Sequence, residues 1–358
     1  MKANRPYKYV LDFLKENIAQ LNYEPNRKLP SERMLALKFN VSRRSVRLAY
    51  DHLIEKNLVS RVHGKGYYTS AQPSGGQTPA PHKEIYLIIP SIKSSFCHEI
   101  FIGIVDFCDE HSLDVSLKFS NGELLKENQY IDYALKSEAK GIILFPIDNE
   151  PFNDNLLKLS TNRYPLTIVD RYFKSLNASF VASDNVSAMY EAVKFLKSNN
   201  VENFIYLTNA SSLATSVEER LEGFKEGIKK FYGTTPDDFL LTLENFSPNV
   251  LIKKLTKYFS THPIPKVIII PGVQYIVDSI MVVLTKFNLS PIKDIKFMLF
   301  DNDLNYQVTS YLQPYVILQK AYQIGYESAA LLYNQMYGDL RTETKLFPVD
   351  IFDYSKKQ

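Results

Sequence analysis

Short apolar runs alternate with amphipathic stretches throughout residues 84–358. Seven of these runs read EIYLIIP, DVSLKFS, GIILFP, PLTIVD, NFIYLT, KVIIIP and IKFMLFD. Apolar runs of this length are typical of strands buried on both faces of a parallel sheet, and the stretches between them suit crossover helices. The pattern predicts an α/β fold with parallel sheets for this part of the chain.

The first 69 residues follow another pattern, which predicts three helices and a hairpin. Apolar residues recur at three- and four-residue steps after Pro6, a favourable first-turn residue. Ser31 and Ser42 each precede a further helical pattern and are suited to cap its N-terminus. The segment LVSRVHGKGYYTS then alternates apolar and polar residues around Gly64 and Gly66, which indicates a β-hairpin with positive φ at its glycines.

A linker separates the two patterns. Residues 70–83, SAQPSGGQTPAPHK, are rich in Pro, Gly and Ser and nearly lack apolar side chains, so we expect an extended tether. A chain of 358 residues is longer than one compact core usually holds, and 45% of it is hydrophobic. We therefore expect a small N-terminal domain at 1–69 and a larger globular domain at 84–358.

Charge is distributed unevenly between these domains. Residues 1–69 contain 14 of the 42 Lys and Arg and 6 of the 39 Asp and Glu, which leaves 28 basic and 33 acidic residues for the remainder. The two parts therefore carry formal charges of +8 and −5. A basic domain joined to a mildly acidic one is expected where the first binds a polyanion and the second does not.

Three arginines lie at the N-terminal end of the third predicted helix. Arg43 and Arg47 are one turn apart, with Arg44 beside them, away from the apolar stripe of that helix. A helix-turn-helix inserts this end of its second helix into the major groove, where arginine binds guanine edges or phosphates. A merely solvated basic face is the alternative for an isolated cluster. The capped helix before it and the basic hairpin after it favour a winged helix-turn-helix.

This order of elements closely resembles the GntR-family winged helix-turn-helix. The segment KLPSERMLALKFNVSRRSVRLAYDHLIEKNLVSRVHGKGYYTS carries the resemblance. It implies a homodimer on a near-palindromic, double-stranded DNA operator. The implied DNA-binding residues are Arg33, Arg43 and Arg47, with Ser42, Arg44 and Ser45 nearby, and His63, Gly64 and Lys65 at the wing tip.

Polar side chains follow several predicted strands of the larger domain. They are Ser95 with Phe96, Asn121, Asp170 with Arg171, and Asp301, joined by Arg220 from the segment SVEERLEGF. Ligands of open α/β sheets bind beyond the carboxyl ends of the strands. Carboxylates, an amide and arginines near aromatic rings suit a small polyol, whose hydroxyls both donate and accept. Each such residue taken alone is as often only a cap or turn.

The larger domain also resembles a known family, the LacI/GalR effector domain, which is similar to periplasmic sugar-binding proteins. The matching segments are SSFCHEIFIGI, GIILFP, IVDR, VASDN, ERLEGFKEGI, FDND and VILQKAYQIGYESAALL. The resemblance implies two lobes, lobe 1 at about 84–182 and 320–340 and lobe 2 at about 183–319 and 341–354. The implied effector-binding residues are Asp170, Arg171, Arg220, Asp301 and Gln319, with Phe96 and Tyr322 lining the cleft and Asp184 and Asn185 at the crossover between lobes.

The sequence departs from that family at one ligand-binding position. Where the family often has Ala-Asn-Asp after a strand, this chain has Pro271, Gly272 and Val273. An amide that commonly binds the ligand is therefore missing, which hints at a monosaccharide other than the usual hexoses, such as a pentose or a deoxyhexose.

Motifs of common enzyme classes are absent from the sequence. It contains no G-x-G-x-x-G after a strand, no complete P-loop, no G-x-S-x-G and no H-E-x-x-H. Cys97, His98, Cys108 and His111 could be zinc ligands, but they lie along one predicted helix. Cys97 and Cys108 would then be about 16 Å apart, too far for one ion. We expect a protein that is not an enzyme and has no cofactor, metal or disulfide.

Together these patterns predict a chimeric transcription regulator, similar to arabinose-type sugar regulators. We expect a cytoplasmic homodimer without a membrane partner, which represses sugar-utilisation genes until a monosaccharide binds between the lobes. A purine or another metabolite is the alternative effector. A PLP-binding, aminotransferase-like body is a further alternative, but about 275 residues are few for that fold and no segment suggests a lysine-aldimine site. A secreted sugar-binding protein would need a signal peptide, which we do not find.

Overall fold

The computed structural model divides the chain into two units, Met1–Pro81 and His82–Gln358. It describes residues 6–20, 26–56, 58–62, 65–70, 84–147, 154–209, 214–270, 275–338 and 341–356. The division lies within the predicted linker, of which residues 71–83 are outside the described residues. In the described part of the chain, no helix is both long and apolar enough to cross a membrane.

The first unit contains three helices and an antiparallel hairpin, in the predicted order. The elements are α1 (Pro6–Gln20), α2 (Glu32–Phe39), α3 (Arg43–Glu55), β1 (Val59–Val62) and β2 (Gly66–Thr69). The apolar faces of the helices enclose one core, in which Leu14, Val46 and Leu53 are fully buried. Gly66 has a φ of 114°, which a glycine adopts without strain, and it opens β2 after the turn.

Side-chain caps begin the second and third helices at the predicted serines. The Ser31 hydroxyl accepts a hydrogen bond from the Met34 N–H at 3.3 Å. The Ser42 hydroxyl accepts one from the Ser45 N–H at 3.1 Å. Between the helices, Asn40 has a φ of 50° and ends α2 in the left-handed region, which asparagine tolerates better than most residues. Both ends of the turn are therefore fixed, and with them the direction of α3.

The first lobe of the second unit is built on a wholly parallel sheet of strand order β13-β7-β6-β5-β3-β4. Its strands are β3 (Glu84–Ile89), β4 (Asp114–Phe119), β5 (Gly141–Leu144), β6 (Leu166–Val169), β7 (Ser179–Ser183) and β13 (Thr344–Phe347). Helices α4 (Ser95–Glu110) and α12 (Ala321–Met336) cover one face of the sheet. Helices α5 (Leu124–Lys136) and α6 (Asp154–Thr161) cover the other.

The second lobe is built on a sheet of order β14-β12-β11-β10-β8-β9, parallel except for β14. Its strands are β8 (Phe204–Asn209), β9 (Leu240–Leu243), β10 (Val267–Ile270), β11 (Lys296–Phe300), β12 (Tyr315–Leu318) and β14 (Asp350–Asp353). Helices α7 (Asn185–Ser198) and α8 (Thr215–Phe231) cover one face. Helices α9 (Pro248–Thr261), α10 (Tyr275–Lys286) and α11 (Tyr306–Leu312) cover the other, and 3₁₀ turns lie at Pro236–Phe239 and Tyr354–Lys356.

The end of the chain contributes one strand to each lobe, which corrects one predicted boundary. The assignment of 341–354 to lobe 2 is wrong for 341–347, because β13 pairs in parallel with β7 of the first sheet, from Thr344 opposite Phe180 to Phe347 opposite Ser183. Only β14 joins the second sheet. The described chain therefore crosses between the lobes at 184, at 319–320 and at 348–349.

Glycines allow two helix pairs to pack backbone against backbone. Helix α12 lies so close to α4 that a Cβ added at Gly325 would lie 2.1 Å from the Ile100 carbonyl oxygen. A Cβ at Gly103 of α4 would lie 2.2 Å from the Tyr322 carbonyl oxygen. In the second lobe, a Cβ at Gly223 of α8 would lie 2.0 Å from a carbonyl oxygen of α7. Since real side chains do not fit at such distances, any larger residue must separate the helices.

The Gly325→Ala variant is expected to lose about 3 kcal/mol of unfolding free energy, because overpacking against backbone cannot relax by a rotamer change. Urea denaturation of the full chain, followed by circular dichroism, measures the loss. Gln323→Ala, an exposed position two residues earlier in the same helix, should change the unfolding free energy by less than 0.5 kcal/mol, on the order expected for surface substitutions. Equal stability of the two variants would contradict the close approach of α4 and α12.

Candidate ligand cleft and nucleic-acid interface

A cavity of about 820 Å³ lies between the two lobes of the second unit. Its walls come from the carboxyl ends of parallel strands in both sheets, where polar residues were expected. The first lobe contributes Ser94, Phe96, Cys97, Phe145, Asp170 and Arg171. The second contributes Tyr206, Thr208, Asn209, Ser216, Val217, Arg220, Asn245, Phe246, Ser247, Pro248, Asp301 and Asp303, and Gln319 lies at the crossing.

Two aspartates occupy equivalent positions in the two lobes. Asp170 follows β6 and Asp301 follows β11, with φ angles of 65° and 59°. Each donates its backbone N–H to the neighbouring strand, Asp170 to Val181 O at 2.9 Å and Asp301 to Ile317 O at 2.8 Å. A positive φ is uncommon outside glycine and asparagine-like residues, and such conformations cluster at functional sites. Here it places both carboxylates on the cavity wall.

The Arg220 guanidinium is buried in the cavity wall between polar and aromatic partners. Its Nε donates to Asn185 Oδ1 at 2.8 Å, and its Cζ lies 3.5 Å from the centroid of the Phe300 ring. Only 7% of the residue is exposed. Burial lowers the pKa of Arg220, and the charges of Asp170 and Asp301 oppose that effect. The side chain therefore presents a fixed, poorly solvated cation to whatever fills the cleft.

Arg171 forms the cationic side of the first lobe. Its Nη1 donates to the Pro146 carbonyl oxygen at 3.3 Å, and its Cζ lies 5.1 Å from the centroid of the Phe145 ring. The Arg171 Nε is 3.6 Å from Asp170 Oδ2. The pair thus combines a donor and an acceptor beside an aromatic face, which is suited to a molecule with several hydroxyls and an apolar ring face.

Gln319 joins the two lobes at the floor of the cleft. Its Nε2 donates to Asp301 Oδ2 at 2.5 Å, and its Oε1 accepts from the Ser183 hydroxyl at 2.7 Å. Burial raises the pKa of Asp301 to about 6, although the hydrogen bond from Gln319 and the charge of Arg220 oppose the rise. Gln319 therefore links the end of β7 in the first lobe to the residue after β11 in the second.

The crossover residues have structural partners beside the cleft. Asp184 caps α7 by accepting from the Ser187 N–H at 3.0 Å. Asn185 is buried, and besides the bond from Arg220 its Nδ2 donates to Glu219 Oε2 at 3.2 Å. Both residues lie where the chain passes from β7 into α7. Asn185 thereby holds Arg220 in position.

Three predicted site residues lie elsewhere. Asn121 is exposed in the turn after β4 and does not line the cavity. Tyr322 is also outside the lining, because the first turn of α12 directs it towards α4, where its hydroxyl donates to Asp106 Oδ2 at 3.0 Å. Ser95 is exposed, and its hydroxyl donates to Asp303 Oδ1 of the other lobe at 2.6 Å. Ser95 therefore joins the lobes beside the cavity instead of lining it.

One segment of the cavity wall, which contains an aromatic ring, was not predicted from the sequence. Asn245, Phe246 and Ser247 follow β9 and precede α9 in the second lobe, and all three line the cleft. The signal was present, since NFSP combines an amide, an aromatic ring and a helix cap. It was overlooked because LLTL was not recognised as a strand. Positions 271–273, where the family amide is replaced, lie outside the described residues.

Cys97 lies in the cavity wall. Among the described residues no group of three or more His, Cys, Asp or Glu is placed to hold a metal ion. Burial raises the pKa of the Cys97 thiol, and burial raises that of Cys108 to about 12. Cys97 is thus a partly buried free cysteine, and Cys108 a fully buried one.

In the first unit, the basic end of α3 is exposed. Arg33, Arg43 and Arg44 are all exposed, and no described residue forms an ion pair with them. Lys65 is exposed in the turn of the hairpin, whereas His63 and Gly64 lie outside the described residues. Free guanidinium groups at a helix N-terminus are the arrangement that binds phosphate or base edges.

Arg47 has an additional structural role. Its Nε and Nη2 donate to the two carboxylate oxygens of Glu32, at 3.2 Å and 3.0 Å. The same carboxylate accepts from the Tyr67 hydroxyl at 2.7 Å. The hydrogen bond from Arg47 is the largest cause that lowers the pKa of Glu32. Arg47 therefore ties α3 to α2 and, through Glu32, to the hairpin, while 54% of its side chain remains exposed.

Two family models match the chain. Residues 85–340 match the periplasmic binding protein domain. The chain belongs to that family. Residues 6–68 match the bacterial regulatory proteins of the gntR family, so this member of the periplasmic binding protein domain family carries a GntR-type domain at its N-terminal side. Both resemblances inferred from the sequence are confirmed.

Curated relatives of this family member share part of its length. The arabinose metabolism transcriptional repressor of Halalkalibacterium halodurans is 27% identical over 224 residues, which cover 61% of this chain and 59% of that protein. The ribose operon repressor of Haemophilus influenzae is 23% identical over 185 residues, which cover 51% of this chain and 54% of that protein. The chain thus spans little more than half the length of these relatives.

A solved structure shows the same two-lobed fold. The transcription regulator CcpA of Lactococcus lactis matches 76% of this chain and 97% of its own chain, with a TM-score of 0.64 at 16% sequence identity. At such low identity the likeness establishes the α/β architecture alone.

Proposed function

We propose that this protein is a sequence-specific DNA-binding transcription regulator, a repressor of sugar-utilisation genes controlled by a small sugar between its lobes. The observation that carries the proposal is the cavity between the lobes, which is lined by Asp170, Arg171, Arg220, Asp301 and Gln319, in a chain with a GntR-type domain. The names of the curated relatives support a repressor and not an enzyme. The operator is double-stranded DNA of near-palindromic sequence, and the protein acts in the cytoplasm, where bacterial DNA is bound.

The charges of the cavity favour a neutral effector. Arg171 and Arg220 face three carboxylates, those of Asp170, Asp301 and Asp303. A phosphorylated sugar would add negative charge to a cavity that already has more carboxylates than guanidinium groups, and its phosphate would have to be desolvated. Neutral hydroxyls can donate to the carboxylates and accept from the arginines. A monosaccharide, a pentose or a deoxyhexose, fits this chemistry. The curated relatives named for arabinose and ribose metabolism support a pentose in particular.

The effector acts through the relative position of the lobes. Hydrogen bonds already join them at Ser95 with Asp303 and at Ser183 with Gln319. A sugar that contacts both walls stabilises one arrangement only by its difference in affinity for the two states, typically 1–3 kcal/mol of coupling. In a homodimer, this change alters the spacing of the two DNA-binding domains and releases the operator.

The oligomeric state is itself testable. If the protein is a homodimer, light scattering should give twice the chain mass of 41.2 kDa.

A thermal-shift titration of the full chain tests the proposal. The panel contains L-arabinose, D-ribose, D-xylose, D-galactose, L-rhamnose, L-fucose, their available phosphates, and guanine. A neutral sugar at 100 times its dissociation constant should stabilise the protein by about 2.7 kcal/mol, a shift of a few degrees. The same sugar should lower the affinity for an operator selected from genomic fragments. A shift with guanine alone would overturn the sugar assignment, and failure to select any DNA would overturn the regulator.

The effector affinity should fall as the pH is lowered. The pKa of Asp301 is raised to about 6, so the ionised carboxylate, the stronger acceptor of a sugar hydroxyl, is depleted as the pH falls through that value. Between pH 7.5 and 5.5 the ionised fraction drops to about a quarter, which predicts about fourfold weaker binding. Isothermal titration calorimetry at both pH values measures it. Asp301→Asn should bind more weakly with a flat pH profile, and an unchanged slope in that variant would contradict the assignment.

A further inference from the structure

Tyr206 carries a buried hydroxyl group without a hydrogen-bond partner in the cleft wall. The residue lies in β8 and lines the cavity, and only 1% of it is exposed. Its hydroxyl oxygen is excluded from solvent and forms no hydrogen bond with any described residue. Such a group costs free energy in the folded protein, so its presence in a cavity wall requires an explanation.

Other tyrosines nearby do have partners. The Tyr232 hydroxyl, in the same apolar cluster, donates to the Val201 carbonyl oxygen at 2.6 Å. The Tyr172 hydroxyl, next to Arg171 along the chain, donates to Glu219 Oε1 at 2.6 Å. Unlike these two tyrosines, Tyr206 has a hydroxyl group that is left without a hydrogen bond to the described residues, and a bound molecule could supply one.

The surroundings of Tyr206 fix its ring and keep it protonated. The ring centroid lies 5.0 Å from that of Phe224, at an interplanar angle of 45°. Burial raises the pKa of Tyr206 to about 12, although the charge of Arg220 opposes the rise. At neutral pH the hydroxyl is thus both a donor and an acceptor. It matches one alcohol group of a ligand that also reaches the Arg220 guanidinium.

We propose that Tyr206 determines effector specificity by exchanging a hydrogen bond with one hydroxyl of the sugar and thereby selecting against analogues that lack it. The inference rests on the proposed sugar-sensing function. A site with a buried polar group rejects an analogue that cannot pair with it far more strongly than an apolar wall rejects an added group. In the ligand-free protein the unpaired hydroxyl lowers stability, and the effector removes that penalty.

The test compares Tyr206→Phe with Tyr232→Phe in the full chain. The probe is the neutral sugar of the panel that shifts the wild-type melting temperature most, together with each of its monodeoxy derivatives. Ligand-free Tyr206→Phe should melt at or above the wild-type temperature, because it loses only an unpaired hydroxyl. It should bind the parent sugar roughly tenfold more weakly, as expected for one lost hydrogen bond.

One deoxy derivative should distinguish the variants. The wild type should bind this derivative roughly tenfold more weakly than it binds the parent sugar. Tyr206→Phe should bind the derivative and the parent sugar with equal affinity. Tyr232→Phe loses a formed hydrogen bond, so it should melt lower while its sugar affinity and discrimination stay at wild-type values.

The two hypotheses fail in different ways. If Tyr206→Phe binds the parent sugar with the affinity of the wild type, the proposed role of Tyr206 is wrong. It is also wrong if ligand-free Tyr206→Phe is less stable than the ligand-free wild type. Neither result would affect the proposed function. No shift of the wild type with any neutral sugar would overturn the proposed function and the specificity assignment together.

Discussion

In the Arg220→Ala variant, stabilisation by the effector should disappear while operator affinity stays within about twofold of the wild type. Arg220 is the buried cation of the cleft, held by Asn185 and stacked on Phe300. Hydrogen bonds to charged groups contribute about 1.5–3 kcal/mol each, so the loss should weaken sugar binding about a hundredfold. At the sugar concentration that stabilises the wild type by about 2.7 kcal/mol, the variant should gain only about 0.4 kcal/mol.

The controls separate binding from folding. Lys225→Ala removes an exposed cation from the same helix and should leave the sugar response intact. Arg220→Lys keeps a cation but loses the planar fork, so it should fold with intermediate affinity. Calorimetry with the panel sugar and fluorescence anisotropy with the operator measure both properties. Sugar binding at wild-type strength in both Arg220 variants would disprove the site.

Replacing Arg43 and Arg47 together with alanine should reduce operator binding to the level of non-specific DNA. Each arginine that binds a base edge bidentately contributes about 1–3 kcal/mol to the binding free energy. Loss of both should therefore weaken operator binding by about 4 kcal/mol, roughly a thousandfold.

The two single variants should differ in their free energy of unfolding. Arg43 has no ion-pair partner among the described residues, so Arg43→Ala should unfold like the wild type. Arg47→Ala loses the pair with Glu32 and should be less stable than the wild type.

A matched charge control completes this test. Lys56→Ala removes one positive charge from the opposite end of α3, so it should lower operator affinity only slightly and to the same extent for a scrambled sequence. Anisotropy titrations at several salt concentrations separate the two effects. Operator affinity of the double variant within threefold of Lys56→Ala would show that this end of α3 does not read DNA.

Burial explains part of the difference between the strands that the sequence predicted and those that it did not. Runs such as GIIL and VIII are buried at every position, so their composition alone reports a central strand. Among the strands that were not predicted, β9, β13 and β14 lie at sheet edges and are only partly buried, whereas β7 and β12 are interior and mostly buried. A half-buried edge strand of four residues has little apolar signal, and its partner is chosen by the rest of the fold.

Cavity residues were predicted where the strand before them had been recognised. Asp170 and Asp301 directly follow predicted strands, and the structure places both in the cleft. Phe246 follows β9, which was not predicted as a strand, so its position at a strand end was not recognised. The predicted position of Tyr322 in the cleft was wrong for another reason. Tyr322 belongs to the same sequence segment as Gln319, but it lies in the first turn of α12 and faces α4. A one-dimensional resemblance locates a segment and leaves the direction of each side chain to packing.

The late crossing of the chain between the lobes affects the order in which the protein can fold during synthesis. The first unit is complete once Thr69 has left the ribosome. Lobe 1 still lacks α12 and β13 until residue 347, and lobe 2 lacks β14 until residue 353. At about 5–20 residues per second, the wait for these elements lasts from about 14 to 60 seconds. A nascent chain therefore exposes a finished first unit well before either lobe of the second unit can close its core.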